Sequence, residues 1–444
     1  MQRPPVATTT ELARIAARAR REPAARFVNL MHLLSAEFLA DCVQELNKKA
    51  APGVDGATWE AYAAELPQHL ARVVERLKQG QYWPQPVRRV YIPKDEKSVR
   101  PLGIPTIQDK LVQLALAKIL AAIFEGDFLP VSFGYRPGRD AHQALRTLET
   151  CLMTCPMTTV IDADIKGFFD SVDHAKLMIG LQQRVADRTF LRLIERFLKA
   201  GVLEEGVYQE TEQGTPQGGI LSPILSNIFL HYVLDRWFTD QVQPRLAGDI
   251  ALFRYADDFV ICSQDREEAC WLLQAIRERF TRCGLTVSEE KTRLLSFGRK
   301  AWARRRAGGE KPGTFDFLGF THFVGTSRKG TYKVGRVTSR KKFRKSLQAL
   351  KEWLKGVRTL PLRDWWPLLV AKLRGHLQYY GVSGNFPAIA RYYERALQLL
   401  VRALARRSQK PTPDMWGWLH RYLTRYPLPL PKIMHRWYAA PPVR

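Results

Sequence analysis

Two adjacent acids, Asp257 and Asp258, lie between two short apolar runs, Ile250-Ala251-Leu252-Phe253 and Phe259-Val260-Ile261-Cys262. Runs of this length, rich in aromatic and β-branched residues, predict two strands, and Tyr255-Ala256-Asp257-Asp258 predicts the tight connection that holds both carboxylates at its tip. Like charges at neighbouring positions repel, and crowding them raises at least one pKa unless a cation neutralises them. Hard oxygen donors of this kind point to Mg²⁺ rather than Zn²⁺, and two such ions sharing carboxylates are the usual apparatus for phosphoryl or nucleotidyl transfer. A solvated Asp-Asp turn is the competing reading.

A third acid bears on that choice. Val160-Ile161-Asp162-Ala163-Asp164-Ile165-Lys166 predicts another strand, whose alternation puts Asp162 and Asp164 on one face and Ile161, Ala163 and Ile165 on the other. Such a strand can aim a carboxylate at the hairpin tip, and three acids suffice for two metals. Between the two stretches, Gly214-Thr215-Pro216-Gln217-Gly218-Gly219-Ile220-Leu221-Ser222-Pro223 combines glycines, which allow close backbone approach to a ligand, with an apolar stretch that starts a helix. It reads as a loop on the substrate side of the site, against the alternative of a plain loop and helix start.

In this order the stretches resemble the reverse transcriptases encoded by bacterial group II introns. Asp164-Ile165-Lys166 with Phe168-Phe169-Asp170 and His174 is similar to the family's first palm motif. Gln217-Gly218-Gly219 with Ser222-Pro223 is similar to the second, and Tyr255-Ala256-Asp257-Asp258 to the third. Upstream, Gly53-Val54-Asp55-Gly56, Ile92-Pro93-Lys94 and Arg100-Pro101-Leu102-Gly103-Ile104-Pro105 resemble its fingers motifs. Downstream, Glu290-Lys291-Thr292 and Phe317-Leu318-Gly319-Phe320 resemble later palm motifs, and Leu373-Arg374-Gly375-His376 with Tyr379-Tyr380-Gly381 its thumb or maturase region. The resemblance covers roughly residues 28 to 400, and a series in this order is hard to obtain by chance, although each short motif alone is weak.

The resemblance implies an α+β fold, a right-hand polymerase of the reverse transcriptase type with fingers, an antiparallel-sheet palm and a helical thumb. It divides the chain into a basic N-terminal extension (1–26), fingers (27–105), a palm with the polymerase site (106–325), a helical thumb and maturase region (326–410) and a basic tail (411–444). It implies Asp164, Asp257, Asp258 and the backbone carbonyl of Ile165 as ligands of two Mg²⁺ ions, with Mn²⁺ able to substitute. One ion lowers the pKa of the primer 3′-hydroxyl and the other neutralises the leaving pyrophosphate. Lys94 and Arg100 then grip the incoming triphosphate, Arg100 as a planar fork and Lys94 as a compact charge, against the alternative of a solvated basic loop. Phe169 stands where the family places an aromatic that clashes with a ribose 2′-hydroxyl. A core phenylalanine is the rival reading, and since Phe168 and Phe169 cannot share a strand face, one is expected to be core and the other gate. Gln217 is expected at the nucleotide sugar or base, Ala256 leaves room for the primer end, and Lys291 is a candidate general acid for pyrophosphate. Asp162 and Asp170 are read as supporting groups.

The charge distribution points the same way. Residues 1–298 carry 37 Lys plus Arg against 37 Asp plus Glu, whereas residues 299–444 carry 32 against 6, the whole of the +26 net charge. A surplus of that size in one region is the footprint of phosphate contacts with steep salt dependence. No stretch reaches the roughly 18 uninterrupted apolar residues of a spanning helix, so no membrane partner is expected. Within the basic third, Phe343, Leu347, Leu350 and Leu354 recur at helical spacing, as do Trp366, Leu369, Leu373 and Leu377, and Ile389, Tyr393, Leu397, Leu400 and Leu404. The aromatics Trp365, Trp366, Tyr379, Tyr380, Tyr392 and Tyr393 can stack on bases, but their helical spacing favours core.

Lys410-Pro411-Thr412-Pro413 predicts a break, and the short tail beyond it, with Trp416, Trp418, Tyr422 and Tyr426, must pack on the thumb or dock on nucleic acid. The family's endonuclease is not expected here. The six cysteines form no zinc pattern or disulfide framework, which fits a reducing cytosol. Arginines among alanines over residues 11–26 predict a mobile basic arm or a helix that touches RNA, and residues 27–50 helices leading into the fingers.

The function so implied is DNA synthesis on an RNA template from a DNA or RNA primer with dNTPs. It is coupled to binding of group II intron RNA through the basic thumb and tail, for splicing and for insertion into a DNA target, in a bacterial cytoplasm as a ribonucleoprotein or at the nucleoid. The catalytic motifs do not separate this setting from phage defence, CRISPR adaptation or repair. A non-enzymatic splicing factor has no need of crowded acids, and an RNA-templated RNA polymerase conflicts with Phe169 as gate.

Overall fold

The computed structural model describes residues 7–93, 99–215, 218–407 and 414–437, so Lys94, Gln217 and the expected break at Lys410-Pro411-Thr412-Pro413 lie outside the described residues. The strands are β1 (Val87–Pro93), β2 (Val99–Ile104), β3 (Thr159–Ala163), β4 (Val202–Glu204), β5 (Val207–Gln209), β6 (Ile250–Tyr255), β7 (Asp258–Ser263), β8 (Arg293–Ser296), β9 (Thr314–Phe317), β10 (Phe320–Thr326) and β11 (Tyr332–Thr338). They form sheets of order β2-β1-β4-β5, β6-β7-β3-β8 and β11-β10-β9. The chain divides into two compact units. One comprises the residues up to Ala144 with Val160–Leu294, the other Leu145–Thr159 with the residues from Leu295 onward.

The first unit is organised around the helix Ile107–Phe124, which is apolar nearly all round and buries Leu111, Leu116, Ile119, Ile123 and Phe124. Its N-cap is Thr106, whose Oγ1 accepts from the Asp109 amide. The buried Asp109 carboxylate in turn accepts from the Tyr82 hydroxyl (2.7 Å) and the Gln85 amide (3.1 Å), tying the approach to β1 onto this helix. Of the two alternatives for the N-terminal basic segment, the structure has the helix, Ala7–Arg21. Ala19 is buried, Leu12 and Ile15 pack on the core, and the buried Arg184 donates to the carbonyls of Ala19 (3.0 Å) and Pro23 (2.7 Å) at the helix end.

In the second unit, the three helical patterns appear as Arg340–Val357, Leu362–Tyr380 and Phe386–Ala405. Leu350, Leu354, Trp365, Leu373 and Leu400 form its core, joined by Leu419 of the helix Met415–Arg425 and by Leu428, so the tail packs onto this unit. Trp365, Trp366, Tyr380 and Tyr392 are buried, which makes them core residues rather than stacking platforms.

Candidate active site

Strands β6 and β7 pair antiparallel, Leu252 opposite Ile261 and Tyr255 opposite Asp258, and Ala256-Asp257 is the two-residue connection. The tip is asymmetric: Asp257 is partly buried, whereas Asp258, the first residue of β7, is exposed. Ala256 has φ +56°, a left-handed conformation that hairpins usually give to glycine at the first connecting position. A residue kept in such a conformation needs surroundings that over-determine it.

Arg254 supplies them. Its guanidinium is wholly buried, and its five N–H donors meet five acceptors. Nε and Nη2 form a fork on Asp235 (2.7 and 2.5 Å). Nη2 also donates to Ser132 Oγ (2.7 Å), while Nη1 donates to Asn227 Oδ1 (3.1 Å) and to the Ala256 carbonyl (3.0 Å). The charge is thereby paired and every donor satisfied, the condition under which burying an ion pair is tolerable. Asn227 Nδ2 donates to the Gly134 carbonyl (2.7 Å), and backbone bonds join Arg254 to Val131 and Phe133 (2.9 Å each). Gly134 must lack a side chain, because a Cβ there would lie 2.5 Å from the Ala256 nitrogen. Asp235 closes a π-helical turn, His231–Asp235, that continues the helix Ser222–Leu230 carrying Asn227. None of Arg254, Asp235, Asn227 and Ser132 was a candidate from the sequence; the one available signal was an arginine inside an otherwise apolar strand.

Asp164 directly follows β3. Its carbonyl accepts from the Ser288 amide and the Lys166 amide donates to the Thr286 carbonyl, 2.8 Å each, around the pair Ile165–Val287. In this non-hydrogen-bonded pairing the N–H and C=O of Ile165 turn away from Val287. Asp164 Oδ2 accepts from Lys291 Nζ at 2.6 Å, and Asp162 Oδ2 from Arg293 Nη2 at 2.6 Å. The two same-face acids of the predicted strand therefore each meet a cation. Burial raises the Asp257 carboxyl above the ordinary range, the Asp164 charge adds to this, and Arg100 and Arg254 oppose it. Asp164 and Arg100 thus each lie within electrostatic reach of Asp257. Among the described residues no three Asp, Glu, His or Cys side chains converge as a metal cluster.

Phe168 and Phe169 begin a four-residue helix, Phe168–Ser171, rather than continuing a strand. They differ in burial: Phe168 is buried against Phe229, while Phe169 packs against the core only in part and is edge-on to Phe168 (5.3 Å). The glycine-rich loop docks here, Thr215 donating to the Phe169 carbonyl (2.7 Å) and Gly214 to that of Val172 (2.8 Å). Its other end meets β2, where a Cβ on Gly218, at φ +112°, would come within 2.8 Å of the Gly103 carbonyl. Buried Gln113 Oε1 accepts from the Ile220 amide at 2.8 Å. Arg100, on β2 opposite Ile92, has an exposed side chain.

The profile described as "Reverse transcriptase (RNA-dependent DNA polymerase)" matches residues 92–322, more than half of the chain. Protein YkfC of Escherichia coli K12 is 35% identical over 289 residues, covering 58% of this chain and 75% of that protein. The group II intron-encoded protein LtrA of Lactococcus lactis is 30% identical over 403 residues, covering 72% of this chain and 64% of LtrA, so the chain spans less than two thirds of LtrA's length. A shorter match, 37% over 95 residues, covers 21% of this chain and 13% of Nuclear intron maturase 1 of Arabidopsis thaliana. The chain belongs to the reverse transcriptase family, among the group II intron-encoded reverse transcriptases and maturases. Its α+β architecture is that of a reverse transcriptase. No helix among the described residues is long and apolar enough to cross a membrane.

Proposed function

We propose that this chain is an RNA-directed DNA polymerase that also binds group II intron RNA to assist splicing and insertion into a DNA target, working in the bacterial cytoplasm as a ribonucleoprotein. The observation that carries the reading is the hairpin tip, where a fully satisfied buried arginine fixes a strained connection so that Asp257 stays half-buried within the field of Asp164.

The residues fit a divalent cation. The donors are hard oxygens, burial and then the Asp164 charge raise the Asp257 pKa, a cost that a bound cation offsets, and Asp164 already takes the Lys291 ammonium as counter-ion. Asp164, Asp257, Asp258 and the Ile165 carbonyl would hold two Mg²⁺ or Mn²⁺ ions. Bound there, the ions would activate the primer 3′-hydroxyl and neutralise the leaving pyrophosphate. The chain's own groups do the positioning. Arg100, with Lys94, orients the triphosphate; Gln217 meets the sugar or base; Ala256 leaves space for the primer end; and Phe169 excludes a 2′-hydroxyl. Lys291, once released from Asp164, protonates the pyrophosphate.

The test is primer extension on an RNA template with dNTPs and Mg²⁺, comparing the parent with Asp257→Ala/Asp258→Ala and measuring intron RNA binding by both. Synthesis lost in the variant with binding retained supports the proposal. A folded parent that binds intron RNA but never extends a primer replaces it with a splicing factor on a polymerase scaffold.

A further inference from the structure

The helix Gly298–Arg306 carries Arg299, Lys300, Arg304, Arg305 and Arg306 and no acid. All five side chains are exposed, and among the described residues none forms an ion pair with a carboxylate. Just before the helix the chain does supply a partner, since Arg293 is given Asp162. Unneutralised like charges crowded on one short helix repel.

Three of these five cations are also held in place rather than loose. Arg299 donates to the Met153 carbonyl (3.1 Å) and lies over the Tyr332 ring (5.2 Å). Arg304 donates to Ser296 Oγ (2.7 Å). Arg306 lies over Trp302 (5.1 Å) and donates to the Gly330 carbonyl (3.3 Å). That last bond joins the helix to the β10–β11 turn, which adds Arg328 and Lys329, both outside the ion pairs of the described residues. Helix and turn thus form one basic face within the second unit. Guanidinium groups predominate on it, and their planar forks suit phosphate oxygens better than ammonium does.

We infer that this face binds the phosphate backbone of RNA, as a contact surface additional to the helix Arg340–Val357, whose first turns carry Arg340, Lys341, Lys342, Arg344 and Lys345. The inference rests on the proposed RNA-binding function and adds a second place of contact. Fixed guanidiniums lose little further freedom on binding, and the polyanion removes their mutual repulsion.

The experiment measures binding of a fluorescein-labelled structured RNA to the full chain across a salt series. It compares the parent with Lys300→Gln/Arg305→Gln/Arg328→Gln/Lys329→Gln, four positions that make no hydrogen bond described above, after matching their thermal unfolding. A second variant, Lys341→Gln/Arg344→Gln, tests the other helix. Each phosphate contact contributes about 0.7–0.9 to the slope of log K against log salt, so the quadruple variant should lower that slope by about 3. Its effect on log K should add to that of the second variant. Parent-like slope and affinity in the quadruple variant would overturn this proposal alone. A parent that does not bind RNA overturns the functional reading beneath it. A variant that loses binding to polyglutamate while keeping RNA binding assigns the face to an acidic protein and also overturns the proposal.

Discussion

Arg254 shows how a single side chain can set the geometry of a site it does not enter. Lysine offers three donors on a point charge in place of five in a planar fork, so Arg254→Lys leaves the Asp235, Asn227, Ser132 and Ala256 acceptors incompletely paired in a buried space. The expected cost is about 3 kcal/mol of stability in urea unfolding, with primer extension falling further than the unfolded fraction explains. A variant as stable as the parent would mean that the network does not brace the hairpin. At Phe169 the prediction concerns selectivity. Phe169→Ala should lower the discrimination between dNTPs and rNTPs in single-nucleotide incorporation, and unchanged selectivity would return Phe169 to a purely structural role. Lys291→Met should slow incorporation by about 10² or more if Lys291 donates a proton. An unchanged rate would leave Lys291 as no more than the counter-ion of Asp164.

At the scale of elements, the hairpin was readable because two strand-length apolar runs flank a short acidic connection. Its bracing was not readable. The partners of Arg254 lie 19, 27 and 122 residues away, and a charged residue at the end of an apolar run reads as the place where the strand stops. The three amphipathic helices of the second unit were legible from their 3.6-residue period, with ends that differ by a few residues because capping by Ser339 and flanking polar positions carries no periodic signal. The helix Gly298–Arg306 escaped the same reading because Ala301 and Gly298 are its only buried residues. The segment carrying Gly134 was likewise silent, yet it passes against the hairpin tip. Gly134→Ala should therefore displace Ala256 and Asp257, reducing synthesis while leaving RNA binding intact, at a stability cost of about 1–3 kcal/mol. Primer extension and RNA binding measured on the same preparation check it, and full synthesis by the variant would show that the two segments yield to each other.

For the whole molecule, charge and burial are distributed unevenly. The net charge of +26 falls beyond residue 298, while the acids of the candidate site lie before it. Two buried histidines and one half-buried one add a pH dependence. Burial holds His231 and His322 at about 3 and His376 at about 4, each with ordinary behaviour near 6.5 in the unfolded chain. As pH falls below about 6.5 the unfolded state takes up protons that the folded state refuses, so stability is full above that value and declines towards about 3 to 4. Each histidine contributes a loss of about 2 kcal/mol between pH 7.5 and 5. Urea unfolding at the two pH values measures it, and His322→Gln should remove part of the difference. Equal stability at both would show that these rings are not kept neutral by the fold.

If Asp164 and the hairpin acids form one site for nucleotidyl transfer, single-turnover incorporation of one dNTP on an RNA-templated primer depends on each of them. Asp164→Asn and Asp258→Asn, each folded and binding primer–template like the parent, should lose about a thousandfold or more in rate, roughly 4 kcal/mol of barrier. Incorporation by either variant within a few fold of the parent would contradict it.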